Sequence, residues 1–368
     1  MSITIHKEPS TLYPAYNDSY LEFSSNLSGQ THAEITLYPS ETFTNNFKIY
    51  ADADGKYLFN LKEAVKARFS VDGFDDKYST YPIDWIESYT GITLSQNMDI
   101  NIYDAGTGET QNNTYTFYKS VKQVGEEIYD NTAQVNNVST NGIDYFLTYF
   151  EGYPFSFEIQ NITGTTVEIK NNNSAMTSTA FTATTTGSHR VYVSKATSNW
   201  TTSSWLPLLA LHNQLEIRED GAFKTNIRLK KVPSQCGVYL KWFNNDGGYS
   251  YHLFEEFHKT RLTARSVGEV ATNTFLNVGE GLKAPYRNLG KTASERMSIK
   301  CNATSDELNV IESLFTSPSV QMYSEQTPYK LGEWVNVEVI GSHSYANKSN
   351  INKVSVDIEL PEPMTIRL

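Results

Sequence analysis

Apolar and polar residues alternate with a period of two along most of the chain. DINIY at 99–103, TYTFY at 114–118, FSFEI at 155–159, LEIRED and FKTNIRL between 215 and 229, and VNVEVI at 335–340 each place every second side chain on one face. A strand of this kind buries one face and turns the other to solvent or a partner, so the pattern predicts many half-buried antiparallel strands. Turn residues separate them: DADG at 52–55, EDG at 219–221, and NNDGG at 244–248 between GVYLKWF and YSYHLFEEF. Glycine beside aspartate accepts a positive φ at no steric cost, which makes 237–257 the best-defined hairpin. Within it Val238, Leu240 and Trp242 share one face and Tyr239, Lys241 and Phe243 the other. Large groups on both faces predict a strand central in a sandwich or pressed against another subunit.

Two segments switch to helical spacing. In NLKEAVKARF (60–69), Asn60 is placed to cap the free amides with Glu63 reaching back, and Leu61, Val65 and Phe69 fall on one face. In 304–315, Thr304 and Glu307 repeat the capping box, Leu308, Ile311, Leu314 and Phe315 form the apolar face, and Pro318 enforces the stop. Both read as short helices covering a sheet.

Low-complexity stretches suggest the divisions. DNTAQVNNVSTNG (130–142) has no apolar period and reads as a linker, and NNNSAMTSTAFTATTTGSH (171–189) as an exposed loop or edge and a candidate contact region. From about 266 an irregular run precedes MSIKCNA, the second helix, SVQMY, VNVEVI and KVSVDIEL. The expectation is a mainly β chain of several antiparallel sandwich- or barrel-like domains with two short covering helices: an N-terminal domain at 1–135, a central one with the aromatic hairpin at 140–265, and a β-helix-β unit at 266–368 that packs back on the first.

Composition narrows the function classes. The 368 residues are 39% hydrophobic and 13% aromatic, with 24 Tyr and 18 Phe, which is enough to fill packed cores and excludes a mostly helical or disordered chain. Thirty Lys plus Arg against 41 Asp plus Glu give a formal charge of −11, so no nucleic-acid partner is expected. Arg228, Lys230 and Lys231 form the one basic cluster visible along the sequence. Alternation with Ile227 and Leu229 makes it the solvated end of a strand. MSITIHKEP lacks a basic segment followed by an apolar run, so no signal peptide is expected. The longest apolar run, WLPLLAL at 205–211, falls far short of the ~18 residues of a membrane span. Cys236 and Cys301 are too few for a disulfide framework and read as buried thiols.

Catalytic and cofactor signatures fail on geometry. GEGLKA at 279–284 matches a dinucleotide fingerprint, but Pro285 interrupts the helix that should hold the pyrophosphate. Gly290-Lys291-Thr292 copies the end of a phosphate loop, with Pro285 where its first glycine belongs. His252 and His258, read on one strand, stand some 20 Å apart at roughly 3.3 Å per residue and cannot share a metal. Asp52 and Asp54 lack the remaining ligands of a calcium loop. The adjacent carboxylates Asp75-Asp76 and Glu126-Glu127 lie in no evident apolar pocket, and no GxSxG elbow occurs. The expectation is no enzyme, no cofactor and no metal. Trp200, Trp205, Tyr239, Trp242, Tyr249 and Tyr251 are the aromatics that could present a glycan platform or fill an interface, with core or interface the favoured role.

TLYPAYNDSYLEFSS near the start, YFLTYFEGYPFSFEI at 145–159, GVYLKWFNNDGGYSYHLFEE at 237–256, and the run from SDELNVIESLFTSPSVQMY through EWVNVEVIGSHSY to KVSVDIELPEP resemble structural tail proteins of tailed bacteriophages, especially those of Bacteroidetes-type hosts. The last run looks like the organisation of distal-tail or baseplate ring subunits. The resemblance implies a virion component made in the host cytoplasm, assembled as a homo-oligomeric ring, sixfold in that family, and bound to other tail proteins. A receptor or carbohydrate-binding module engaging a host glycan is the alternative.

Overall fold

The computed structural model describes the chain apart from residues 1–2, 26–31, 41–42, 70–72, 75, 77–85, 89–94, 106–109, 124–125, 127–133, 138–143, 163–165, 174–178, 183–186, 196–205, 207, 234–235, 272–285, 326, 342–349 and 366–368. It is mainly β with two short α-helices, as the period-two pattern predicts. The chain forms two compact units, one of Met1–Ser234, Trp242–Tyr251 and Asn309–Pro318, the other of Gln235–Lys241, His252–Leu308 and Ser319–Leu368. The division expected at 265/266 falls at the end of strand Phe257–Ser266, whose pairing with Lys291–Thr304 spans it.

The first unit contains two layered β arrangements. In the earlier one, strands Ile3–Lys7, Tyr20–Ser25 and Lys56–Asn60 form one sheet. Leu12–Pro14, Thr110–Tyr118, Ser95–Asp104, Ala33–Ser40 and Phe43–Ile49 form the other. Leu21 and Phe23 from one sheet share a core with Ile35, Leu37, Ile100, Ile102 and Phe117 from the other. Helix α1 (Lys62–Phe69) closes that core with Val65 and Phe69, joined by Leu61 just ahead of it. Its start follows the capping logic in part: Asn60 Oδ1 accepts the Lys62 N–H at 3.1 Å, while Glu63 faces Lys66 at 3.8 Å.

The later arrangement pairs a sheet of Gln134–Val135, Pro154–Ile162, Gly187–Lys195 and Ile86–Ser88 with one of Asp144–Phe150, Ala222–Val232, Leu211–Glu219, Thr166–Asn171 and Thr179–Thr182. Tyr149 and Phe155 stack between the sheets with centroids 5.6 Å apart. Asp144–Phe150 pairs in parallel with Ala222–Val232 and Leu12–Pro14 with Thr110–Tyr118, so these sheets are mixed. The 130–142 stretch differs from the linker expected of it. Gln134–Val135 joins a sheet, and Asn136 and Asn137 are buried, because their amides find partners inside the unit. The 171–189 stretch supplies strand Thr179–Thr182, which lies at the edge of its sheet as that composition suggests, and the start of Gly187–Lys195.

The second unit is organised on neighbouring strands in the order Val320–Tyr323, Trp334–Ile340, Ile351–Glu359, Lys291–Thr304 and Phe257–Ser266. Ile299, Cys301, Ala303, Val354, Val356 and Ile358 are buried at alternate positions, which defines the inner face. Helix α2 (Ser305–Glu312) begins with the predicted capping box. Thr304 N–H donates to Glu307 Oε2 at 2.9 Å, and the Glu307 N–H donates back to Thr304 Oγ1 at 3.4 Å.

Candidate interaction surface

The aromatic hairpin forms as predicted, and all six residues of both of its strands are buried. Tyr239, Trp242, Tyr249 and Tyr251 are therefore core side chains, and no sugar ring can stack on them in this conformation. Trp242 Nε1 donates to Ser313 Oγ at 2.8 Å, and Tyr239 lies 5.8 Å from the Trp334 ring. Trp200 and Trp205 lie outside the described residues, as do the GEGLKA run, Asp75 and His343. Lys291 and Thr292 sit in a strand paired with Ser266 and Arg265, so no phosphate loop leads into a helix there. His252 and His258 fall on successive strands, Tyr249–Phe254 and Phe257–Ser266, because Glu255 and Glu256 break the single strand expected. Asp52 Oδ1 accepts the N–H groups of Asp54 and Lys56 at 2.9 and 2.8 Å, the geometry of a hairpin turn. Cys301 is buried and Cys236 exposed, so the burial expected of both thiols holds for one.

A buried ionic clamp in the first unit holds Asp76, for which the sequence shows no evident apolar pocket. Arg190, from strand Gly187–Lys195, donates Nε to Glu158 Oε1 at 2.8 Å and Nη1 to both Asp76 carboxylate oxygens at 3.0 Å. All three side chains are almost fully buried. The guanidinium lies 5.0 Å from the centroid of the Tyr249 ring, and Glu158 Oε2 accepts the Tyr249 N–H at 2.9 Å. Burial pushes the Glu158 carboxyl above the ordinary range, with Arg190 opposing the shift. The 244–248 turn is held by the same network. Asn244 Nδ2 donates to Asn136 O and Ser250 Oγ at 2.9 Å, and its Oδ1 accepts the N–H groups of Asp246 and Gly248. Two carboxylates fixed on one guanidinium and closed to solvent form a positioning device for this turn.

The exposed surface with the most distinctive chemistry lies on the second unit. Phe257–Ser266 pairs with Lys291–Thr304, and Glu269–Ala271 pairs with Tyr286–Asn288 in the same register. Val267 N–H to Gly290 O at 3.0 Å and Leu289 N–H to Gly268 O at 2.9 Å bridge the two ladders. The result is one antiparallel ribbon from 257↔300 to 271↔286, roughly 50 Å long at about 3.4 Å per residue. Its 266–271 and 286–292 portions fall in the run expected to be irregular. Leu262, Val267, Val270 and Tyr286 are 64, 53, 49 and 58% exposed, so the ribbon carries large exposed apolar groups.

The ribbon is also basic. Lys259, Arg261, Arg265, Arg287, Lys291, Arg296 and Lys300 face only two carboxylates, Glu269 and Glu295, a surplus of five in a chain of charge −11. It is a basic cluster additional to Arg228, Lys230 and Lys231, assembled by pairing and therefore scattered along the sequence. Register puts Lys259, Arg261, Arg265, Arg296 and Lys300 on the outer face, with Arg261 directly opposite Arg296. Directly opposed like charges destabilise a strand pair. Two strands further on, the same outer face carries Asp357 and Glu359, and beyond them Glu338 opposite Glu359. Arg296 reaches Glu359 at 3.3 Å at the seam between the two fields. Along the row Glu338, Glu359, Arg296 and Arg261 the face thus runs from acidic to basic across four strands.

No protein-family model matches the chain, and no curated protein matches it in sequence. Among solved structures it is similar to a Ca2+-stabilised adhesin that helps an Antarctic bacterium bind ice, at 11% identity and a TM-score of 0.18, over 96% of this chain and 72% of that one. It is similar to a tetra-tandem repeat from the extending region of a large adhesion protein at 8% identity and a TM-score of 0.21, over 98% and 89% of the two chains. A Parabacteroides merdae β-glucuronidase matches at 9% identity and a TM-score of 0.17, over 62% of this chain and 24% of that one. At such scores these likenesses do not define a shared fold.

Proposed function

We propose that the chain is a structural subunit that acts through β-sheet interfaces with neighbouring subunits, as a component of a phage virion tail at the distal end, baseplate or an adjacent ring. The observation that supports assembly is the 257–271/286–300 ribbon, with exposed Leu262, Val267, Val270 and Tyr286 beside an uneven charge pattern. Arginine and aromatic residues around apolar contacts are the composition of interface cores. The placement in a virion rests on the sequence resemblance to tail proteins, and it implies a ring of identical copies joined by head-to-tail contacts.

The carbohydrate-binding alternative loses four of its six aromatics to the core and keeps Trp200 and Trp205. Electron microscopy of the purified protein tests the assembly reading: closed particles of fixed copy number are expected. A monomer that binds glycans through Trp200 or Trp205 would replace it.

A further inference from the structure

The assembly reading leaves open what covers the ribbon. Three occupants are chemically reasonable: the free edge of a second ribbon, a nucleic acid, or an acidic protein surface. Edge-to-edge pairing through Phe257–Ser266 would set Lys259, Arg261 and Arg265 against cations of the second copy, and charged edges of this kind act against such pairing. A nucleic acid would meet a ribbon whose cations are interrupted by Glu269 and Glu295, on a chain of charge −11. The acidic surface that fits belongs to this chain. Glu338, Asp357 and Glu359 occupy the same outer face, and the rest of the chain outside the ribbon carries a formal charge of −16.

We propose that the occupant is a second copy of this chain, whose Glu338–Asp357–Glu359 field seats on the Lys259–Arg261–Arg265 ribbon. This rests on the assembly reading and names its interface. Within one copy Glu338 and Arg261 are three strand spacings apart, about 14 Å. That exceeds the ~8 Å Debye length at physiological salt, so the outermost charges of one face do little for each other. A second copy brings opposite charges into contact and covers Val267 and Tyr286, which lie on the same outer face as Arg265. Because basic field meets acidic field, one contact satisfies either a reciprocal pair or successive members of a ring.

Charge-swap mixing tests this on the full chain. Arg261→Glu with Arg265→Glu makes one variant and Glu338→Lys with Asp357→Lys the other. All four side chains are exposed, so both variants should fold with wild-type thermal transitions. Sedimentation velocity in low salt should show self-association of the wild type weakened about tenfold or more in each variant alone, and restored when the two are mixed in equal amounts. Self-association that persists unchanged in both variants would overturn the ribbon interface while leaving assembly by another surface intact. A wild type that stays monomeric to the solubility limit would overturn both. Tight binding of single-stranded DNA or heparin by a monomeric wild type, lost in the Arg261→Glu/Arg265→Glu variant, would overturn the second copy in favour of a polyanion.

Discussion

Arg190→Met is the most informative single change in the first unit. Methionine keeps much of the side-chain volume but removes the 2.8 Å bond to Glu158 and both 3.0 Å bonds to Asp76. Two carboxylates that are almost fully buried then lose their counter-charge. Breaking a buried pair from one side costs about 3–5 kcal/mol, since the remaining charge stays desolvated. In a unit of this size 1 kcal/mol moves the melting temperature by about 2–4 °C, so the transition should fall by roughly 6–20 °C. The pH dependence has a definite sign. Glu158 is pushed up even with Arg190 present, so it binds more protons folded than unfolded between its unfolded and folded pKa values. Its contribution is fully present below the unfolded pKa and is lost as pH rises through the folded one. Without Arg190 that loss deepens, and the deficit of Arg190→Met relative to wild type should shrink on acidification. Urea denaturation across pH 4.5–8 reads both effects. A deficit under about 0.5 kcal/mol at neutral pH, or one that grows in acid, would refute the clamp.

Two further outcomes follow from the same network. Glu158→Gln keeps the shape and removes the titrating proton, so the fall in stability as pH rises above the ordinary carboxylate range should flatten, as urea midpoints at successive pH values would show. Gly248→Ala places a methyl group against Asn136 O, 2.6 Å from Asn136 Cβ and 2.8 Å from Glu158 Oε2. All are fixed atoms, so a loss of about 1–3 kcal/mol is expected in the same denaturation assay.

Much of the architecture was legible because it is local. The DINIY, TYTFY, FSFEI and VNVEVI runs lie in strands, NNDGG makes its turn, and the Thr304–Glu307 box starts its helix. Asn136 and Asn137 misled because polar residues in a low-complexity run look solvated until a buried partner exists. The parallel pairing of Asp144–Phe150 with Ala222–Val232 has no local signal, since the two strands lie about eighty residues apart. The ribbon was hidden for a related reason. Arg261 and Arg296 become neighbours only through a register that no short window contains. The six aromatics were found as a set by alternation, yet alternation cannot distinguish a face turned to solvent from one turned to a core, and four are buried.

Assembly through the outer face of the second unit is tested most directly by mass photometry of the wild-type protein across a concentration series at low and at high salt. Discrete multiples of the monomer mass are expected at low salt, dissociating as ionic strength rises, because opposed charge fields hold the copies together. A single monomer peak at every concentration and salt would contradict it.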